Sequence, residues 1–74
     1  MKVTVKLFAT FRQGRFEVAE LDLAEGATLG GIADGLRIPR TEIGILMVGG
    51  RHAELDHRPA AGDVVAIFPL LGGG

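Results

Sequence analysis

The sequence contains no cysteine, no tryptophan and no tyrosine among its 74 residues. Without cysteine, the chain can form no disulfide framework and has no thiol nucleophile of its own. A domain of this size must then rely on one modest and regularly packed core. Because a lack of disulfides fits a reducing compartment, we expect a cytoplasmic protein.

An excess of charge of one sign and long apolar runs are also missing. Eight basic and nine acidic residues give a formal net charge of -1, and they are spread along the chain. With no basic stripe to neutralise phosphates, we expect no nucleic-acid partner. No stretch approaches the ~20 apolar residues that span a bilayer, and the first residues alternate instead of forming a signal peptide, so we expect no membrane association.

Two strands are predicted near the start of the chain. Alternating apolar residues predict a first strand over residues 2–8 and a second over residues 16–23. Two residues separate the apolar positions Val18 and Leu21, so we expect a bulge near Ala19. The turn residues between the two segments predict a hairpin.

A helix is predicted after Thr28, whose hydroxyl can cap the first turn. Four apolar residues then fall at positions i, i+3, i+4 and i+7 and define one helical face, namely Leu29, Ile32, Ala33 and Leu36. Glycines within this segment weaken the helix, so it needs to pack against a sheet. Pro39 is expected to end it, because the residue before a proline is driven out of the helical region.

The second half of the chain is predicted to be mostly strand. A third strand over residues 45–48 leads into the glycine pair at 49–50, which favours a tight turn, and a short return strand covers residues 51–53. The final strand covers residues 64–68. Pro69 cannot donate to a strand ladder and is expected to close it.

These elements follow the order β-β-α-β-β-β. In so short a chain, a mixed sheet of about five strands packed on one helix is the economical arrangement. The predicted fold class is therefore α+β, with a β-grasp or ubiquitin-like roll as its architecture. We expect a β-grasp domain over residues 1–68 and a flexible C-terminal glycine tail over residues 69–74.

The tail is the most unusual part of the sequence, because it ends in three consecutive glycines. Glycines add nothing to a core and cost backbone entropy to order. A functional tail would supply reach: six extended residues span roughly 20 Å at about 3.3 Å each, enough to carry the Gly74 carboxylate into a narrow channel of a partner. The alternative is a frayed end or a linker remnant without a function.

Three segments together resemble the MoaD/ThiS family of sulfur carriers. Residues 7–12, LFATFR, look like the opening motif of the molybdopterin-synthase small subunit. Residues 48–51, VGGR, resemble the family's valine-asparagine-glycine hairpin, with Gly49 where asparagine is usual. Residues 62–69, GDVVAIFP, followed by three residues and a final glycine pair, are similar to the family's closing pattern. This last spacing is the most specific, and it places Gly72 at a variable position.

The resemblance implies a sulfur carrier whose chemistry takes place at its C-terminus. A ubiquitin-activating-enzyme-like adenylyltransferase, using ATP and magnesium, would adenylate the Gly74 carboxylate. A sulfur donor protein would then convert the adenylate to a thiocarboxylate. The large subunit of molybdopterin synthase would receive the tail, which threads partner active sites through Gly73, Gly72, Leu71 and Leu70. Glycine at the last positions lets nucleotide and protein backbone approach closely.

Several alternatives for pathway and mode of action stay open. The closing pattern favours molybdopterin formation, in which the chain would be the small subunit of a sulfurtransferase without catalytic side chains of its own. A carrier for thiazole, thiamine or another thio-metabolite would share the same terminal chemistry. A non-covalent β-grasp interaction module whose tail is never activated is the alternative of another class, and conjugation to lysines is a further one.

No cofactor or metal ion is expected on the chain itself. His52 and His57 lie near Asp56 and Glu54 in the sequence, which raises the question of a metal site. No third and fourth ligands occur at the spacing of a structural zinc site. We therefore expect surface histidines and no metal.

A partner-binding surface is predicted from strand alternation. If alternate residues of the first, third and last predicted strands face the helix, then Phe8, Met47 and Phe68 point to the opposite side of the sheet. They would form an exposed apolar patch near the base of the tail. The family motif places Arg12 just after the first strand, and we expect it to take part in partner binding.

Overall fold

The computed structural model describes residues 1–71, which form a five-stranded mixed sheet and one α-helix. The elements are β1 (Lys2–Leu7), β2 (Val18–Asp22), α1 (Leu29–Gly35), β3 (Ile43–Val48), β4 (Arg51–His52) and β5 (Val64–Pro69). The strand order across the sheet is β2-β1-β5-β3-β4, with β1 and β5 parallel and the other neighbours antiparallel. This arrangement confirms the predicted α+β class and the β-grasp architecture.

The core lies between α1 and one face of the sheet. Apolar residues that alternate along β1 and β5 meet the apolar stripe of the helix there. The core consists of Val3, Val5, Leu7, Phe11, Leu29, Ile32, Ala33, Ile38, Leu46, Val65 and Ile67. No polar or charged residue among residues 1–71 is buried. Apolar burial therefore holds together a helix that its own glycines weaken.

The hairpin of β1 and β2 is confirmed, but the predicted bulge is wrong. The register is continuous, with Val5 opposite Ala19 and Lys6 opposite Val18. Ala19 and Leu21 therefore face the helix, and Val18 lies on the outer face with 54% of its surface exposed. The bulge was predicted because Val18 is apolar, but its side chain does not belong to the core.

The helix begins at the predicted residue. Thr28 precedes α1 in an extended conformation, and its Oγ1 accepts a hydrogen bond of 3.0 Å from the N–H of Gly31. The end differs from the prediction, because α1 stops at Gly35 and not at Pro39. Within residues 1–71, no helix has the length and apolar character that a membrane span requires.

A left-handed residue ends the helix before the proline. Arg37 has φ of 60°, and its N–H donates to the carbonyl of Asp34 at 3.0 Å. The N–H of Ile38 donates to the carbonyl of Ala33 at 2.9 Å. These two bonds are those of a Schellman motif, which usually places glycine where Arg37 stands. Because this position is occupied by an arginine, the usual glycine and proline signals do not indicate the end of the helix.

The hairpin between β3 and β4 turns at the predicted glycine pair. Gly49 and Gly50 have φ of 57° and 79°, and such two-residue turns require positive φ at both positions. β4 is shorter than predicted, because it ends at His52.

The last strand pairing extends further than predicted in both partners. β3 begins at Ile43, and β5 continues to Pro69, which lies opposite Ile43. Pro69 therefore does end the strand, but as its last paired residue and not as the residue that follows it. A proline lacks a donor, but its fixed φ is compatible with extended backbone, so it can occupy the last position of a ladder.

Candidate functional site

The outer face of the sheet, opposite α1, carries a group of apolar side chains near the end of β5. We define the apolar patch as Phe8, Ile45, Met47, Ala66 and Phe68. Pairing of Met47 with Ala66, and of Ile45 with Phe68, brings four of its members together across β3 and β5. The predicted residues Phe8, Met47 and Phe68 are each half-buried, and they lie on the face that strand alternation predicted.

The two phenylalanines of the patch stack on each other. Leu7 lies opposite Ile67 in the parallel pairing of β1 and β5, so the next residues, Phe8 and Phe68, come side by side. Their ring centroids are 4.1 Å apart, and the ring planes are inclined by 13°. A well-placed aromatic pair contributes about 0.5–1.5 kcal/mol beyond its buried area. The stack explains why these rings are only half-exposed.

Ile45 and Ala66 are the two members of the patch that the predicted set did not include, and Ile45 is the larger of them. It is 41% exposed and pairs with Phe68, so it extends the apolar surface from β5 onto β3. Ile45 has the same strand parity as Met47, and continuing the predicted alternation by one step would have found it. An exposed isoleucine beside two stacked rings makes a continuous apolar surface.

Arg12 lies at the edge of the patch, on the 3₁₀ turn Ala9–Arg12 that follows β1. Its Cζ is 5.3 Å from the centroid of the Phe8 ring, within the range of a cation–π contact. Its Nε donates to the carbonyl of Leu7 at 2.8 Å, and its Nη2 lies 3.8 Å from Oε1 of Glu17. Ala9 enters this turn with φ of 51°. The arginine is therefore held over one face of the aromatic pair.

The base of the tail lies beside the patch. Pro69 is buried, and the N–H of Leu70 donates to the carbonyl of Glu42 at 2.9 Å. Beyond this bond the chain leaves the surface, with Leu70 64% and Leu71 80% exposed. Two large apolar side chains are thus exposed to solvent next to the apolar patch.

The terminal residues Gly72, Gly73 and Gly74 lie outside the described residues. Their assignment as the threading and reacting part of the tail stays a prediction.

The histidine region contains no candidate metal centre in the described part of the chain. His52 lies on β4, and the carbonyl of His57 accepts a hydrogen bond of 2.9 Å from the N–H of Leu29. Across residues 1–71, no three side chains of histidine, cysteine, aspartate or glutamate converge in a way that could hold a metal ion.

Comparison with known proteins identifies relatives of the whole chain. The sequence matches the family model Mut7-C ubiquitin over residues 3–72. A search of curated protein sequences found no match. SAMP1 from Haloferax volcanii is 27% identical with a TM-score of 0.76, and the alignment covers 100% of both chains.

Two further solved structures of similar fold are of molybdopterin converting factor subunits. A Pyrococcus furiosus protein provisionally assigned as subunit 1 of this factor is 32% identical, with a TM-score of 0.74, and 93% of this chain aligns with 97% of that one. In a complex of subunits 1 and 2 from Helicobacter pylori, the matched chain is 17% identical, with 100% of both chains covered and a TM-score of 0.66. This last likeness shows the fold alone.

The family match spans nearly the whole fold, including the strands that carry the apolar patch. The Pyrococcus protein separately relates the chain to the MoaD-like proteins, at an identity high enough to show kinship as well as fold. The chain therefore belongs to the Mut7-C ubiquitin family of ubiquitin-like proteins, and its resemblance to the MoaD/ThiS group is confirmed.

Proposed function

We propose that this protein is a sulfur carrier that docks through its apolar patch. It would present its C-terminal tail, residues 69–74, to partner enzymes as a projecting arm. The observation that carries the proposal is the position of the stacked pair Phe8 and Phe68 at the end of β5, where exposed Leu70 and Leu71 leave the surface. A docking surface and a projecting arm thus lie side by side. That is the arrangement needed to bind a partner and place a terminus in its active site.

The chemistry would take place at the carboxylate of Gly74. The carboxylate attacks the α-phosphate of ATP, releases pyrophosphate and becomes an acyl adenylate. A persulfide of a donor protein then attacks the acyl carbon, AMP leaves, and reduction of the resulting acyl disulfide by a thiol releases the thiocarboxylate. The chain supplies the reacting carboxylate and the docking surface, while the partner supplies ATP, magnesium and the groups that stabilise transferred charge.

Several partners are implied by this role. A ubiquitin-activating-enzyme-like adenylyltransferase would bind the patch during activation, and a sulfur donor protein would load the terminus. The large subunit of molybdopterin synthase is the proposed acceptor. This acceptor is supported by the Pyrococcus relative and by the Helicobacter complex, in which a subunit of the same fold is bound to subunit 2. We further propose that these steps take place in the cytoplasm.

A second candidate role is that of a protein modifier. It is favoured by the relation to SAMP1, whose alternative description is small archaeal modifier protein 1. Attack by a lysine amine on the same adenylate, or on a thioester derived from it, would form an isopeptide bond and release the activating group. The two roles share activation and differ only in the nucleophile that attacks next.

Intact-mass measurement distinguishes these roles. The full chain is incubated with the adenylyltransferase, ATP, magnesium and a sulfur donor system, and the control lacks Gly73 and Gly74. A gain of about 16 Da, for sulfur in place of oxygen, is expected for the full chain and not for the shortened one. Adducts of protein size on lysines would support the modifier role instead. An unchanged mass with active cognate partners would support a non-covalent module.

A further inference from the structure

We infer that Gly44 and Glu42 position the C-terminal arm by holding the backbone of Pro69 and Leu70 at its base. Gly44 lies at the start of β3, and Glu42 directly precedes that strand. The expected effect of these two residues on adenylation of the C-terminus rests on the proposed function. Their effect on the position of the arm can be measured without any partner.

A bulge in β3 creates this holding site. Ile43 lies opposite Pro69 and Ile45 lies opposite Phe68, so Gly44 is the extra residue of β3. Bulges bend the strand that carries them and change the direction of the neighbouring chain. This bulge lies opposite the junction between the last residue of the patch on β5 and the first residue of the arm.

Space, and not backbone conformation, explains a glycine at position 44. The described glycines with positive φ do not include Gly44, so another residue could adopt its backbone angles. A Cβ built on Gly44 would lie 2.7 Å from the carbonyl oxygen of Pro69, 3.0 Å from its carbonyl carbon and 3.1 Å from Cα of Leu70. All three are backbone atoms, so no side chain can swing aside to make room. Any larger residue must therefore shift backbone at this contact, either of the arm or of the bulge in β3.

The hydrogen bond from Leu70 to Glu42 is the second part of the holding site. It joins the N–H of Leu70 to the carbonyl oxygen of Glu42 at 2.9 Å. Pro69 before it is buried, and Leu71 after it is 80% exposed. Where the arm leaves the sheet, the missing side chain of Gly44 leaves room for the backbone of the arm. The carbonyl of Glu42 holds that backbone through a hydrogen bond.

The spatial relation between patch and arm depends on this contact. A partner that binds the patch receives the arm in the direction that residues 42–44 set. A displacement of about 1 Å in a reacting group can lower a rate on the order of 100-fold, even when the altered residue lies far from the chemistry. Gly44 is therefore expected to influence catalysis by the partner more than binding to it.

Gly44→Ala and Gly44→Val test the inference, with Gly35→Ala as the matched control. A Cβ on Gly35 meets nothing within 4 Å, so the control adds the same methyl group at a free position. Hydrogen exchange of the Leu70 amide, followed by NMR on the full chain, reports directly on its hydrogen bond to the carbonyl of Glu42. We expect faster exchange in both Gly44 variants, with valine exceeding alanine, and wild-type exchange in the control.

The kinetic readout uses the cognate ubiquitin-activating-enzyme-like adenylyltransferase with ATP and magnesium, and measures pyrophosphate release. For Gly44→Ala we expect kcat to fall about 10- to 100-fold while KM for the carrier stays within about twofold, because the patch is intact. Ile32→Val, a core substitution that lowers stability without touching the arm, is the folding control and should keep the wild-type kcat.

The outcomes separate this inference from the proposed function. Wild-type Leu70 exchange together with wild-type kcat in Gly44→Ala would overturn the inference, as would a raised KM with unchanged kcat. A fall in kcat that Ile32→Val reproduces would also overturn it, because lost stability would then be the cause. If wild-type protein released no pyrophosphate with an active enzyme, the proposed function would fail, and Leu70 exchange would still decide the role of Gly44.

Discussion

Phe8 and Phe68 stack with their centroids 4.1 Å apart, which joins the end of the first strand to the end of the last one. The contact exists because β1 and β5 are parallel neighbours, so both strands finish at the same end of the sheet. One segment continues into the turn that holds Arg12, and the other continues into the tail. Partner docking and tail presentation are therefore expected to be coupled through this pair.

Ile45→Asp is predicted to weaken binding of the activating enzyme at least tenfold, because it places a charge within the apolar patch. Ile45 is 41% exposed, so the fold should tolerate the change. Val18→Asp is the matched control, since Val18 is also exposed on the outer face but lies on β2, away from the patch. Isothermal titration calorimetry with the activating enzyme measures both. Equal losses in the two variants would contradict a specific patch.

Phe68→Asp is predicted to abolish the same binding and also to lower stability. A fully exposed Phe68, as the sequence predicted, would leave the fold of this variant intact. Because the Phe68 ring stacks on Phe8 and is half-buried, we expect a loss of about 1–3 kcal/mol in the free energy of unfolding. Urea titration of the variant checks the stability change, and titration calorimetry at a temperature where it is folded checks binding. Wild-type affinity in the folded variant would exclude Phe68 from the interface.

Arg12→Ala is predicted to lower the free energy of unfolding by about 1 kcal/mol, the typical value of one hydrogen bond with a weak cation–π contact. The substitution removes the donor to the Leu7 carbonyl and the charge over the Phe8 ring. Arg12→Lys keeps a charge but not the planar donor, so we expect an intermediate value. Chemical denaturation measures all three proteins. A lysine variant as stable as wild type would show that the guanidinium geometry contributes nothing.

Arg37→Gly is predicted to stabilise the protein by about 1 kcal/mol, because a left-handed conformation is costly for a residue with a Cβ. The Arg37 carbonyl, which accepts a hydrogen bond of 3.0 Å from Nη2 of Arg15, is kept in the variant. Arg37→Val should be destabilising, since a β-branched side chain tolerates positive φ less well. Thermal unfolding monitored by circular dichroism tests the pair. A lower Tm for the glycine variant would contradict the assignment of strain to this position.

The ion pair of Asp34 and Arg40 predicts a pH-dependent difference in stability. Oδ2 of Asp34 lies 2.9 Å from Nη2 of Arg40, and the hydrogen bonds from this guanidinium lower the pKa of the Asp34 carboxyl. A carboxyl with a lowered pKa in the folded state stabilises the protein above its unfolded pKa and loses that contribution as pH falls through the folded value. The effect is small because both side chains are exposed.

The measurement compares Tm of wild type and Asp34→Asn from neutral to acidic pH. We expect wild type to be slightly more stable at pH 7 and the difference to vanish in acid, below the lowered pKa of Asp34. A difference that stays constant over the whole range would show that titration of Asp34 does not contribute.

Much of the site was accessible to prediction because strand alternation assigns faces. The parity of Phe68 and Met47 placed them opposite the helix, and the structure agrees. Alternation does not predict which residue of a neighbouring strand lies next to a given residue on the same face. The stacking of Phe8 on Phe68 and the contribution of Ile45 depend on which strands pair and in which register.

The incorrect predictions share one physical cause. The apolar side chain of Val18 led to a predicted bulge, and Pro39 was taken as the helix end, each from a local preference of that residue type. The structure decided otherwise in both cases: the register of β1 and β2 left Val18 on the outer face, and a left-handed Arg37 ended the helix. Local preferences are weak compared with the packing of a whole core.

By itself, the sequence determined the element order, the buried face of the helix and the glycine turn at 49–50, because periodicity and positive φ are local properties. It also set the composition of the tail. Only the tertiary structure decided that the tail leaves beside stacked aromatic rings and passes over Gly44 with no room for a Cβ. Such contacts join residues far apart in the chain, and only the strand order brings them together.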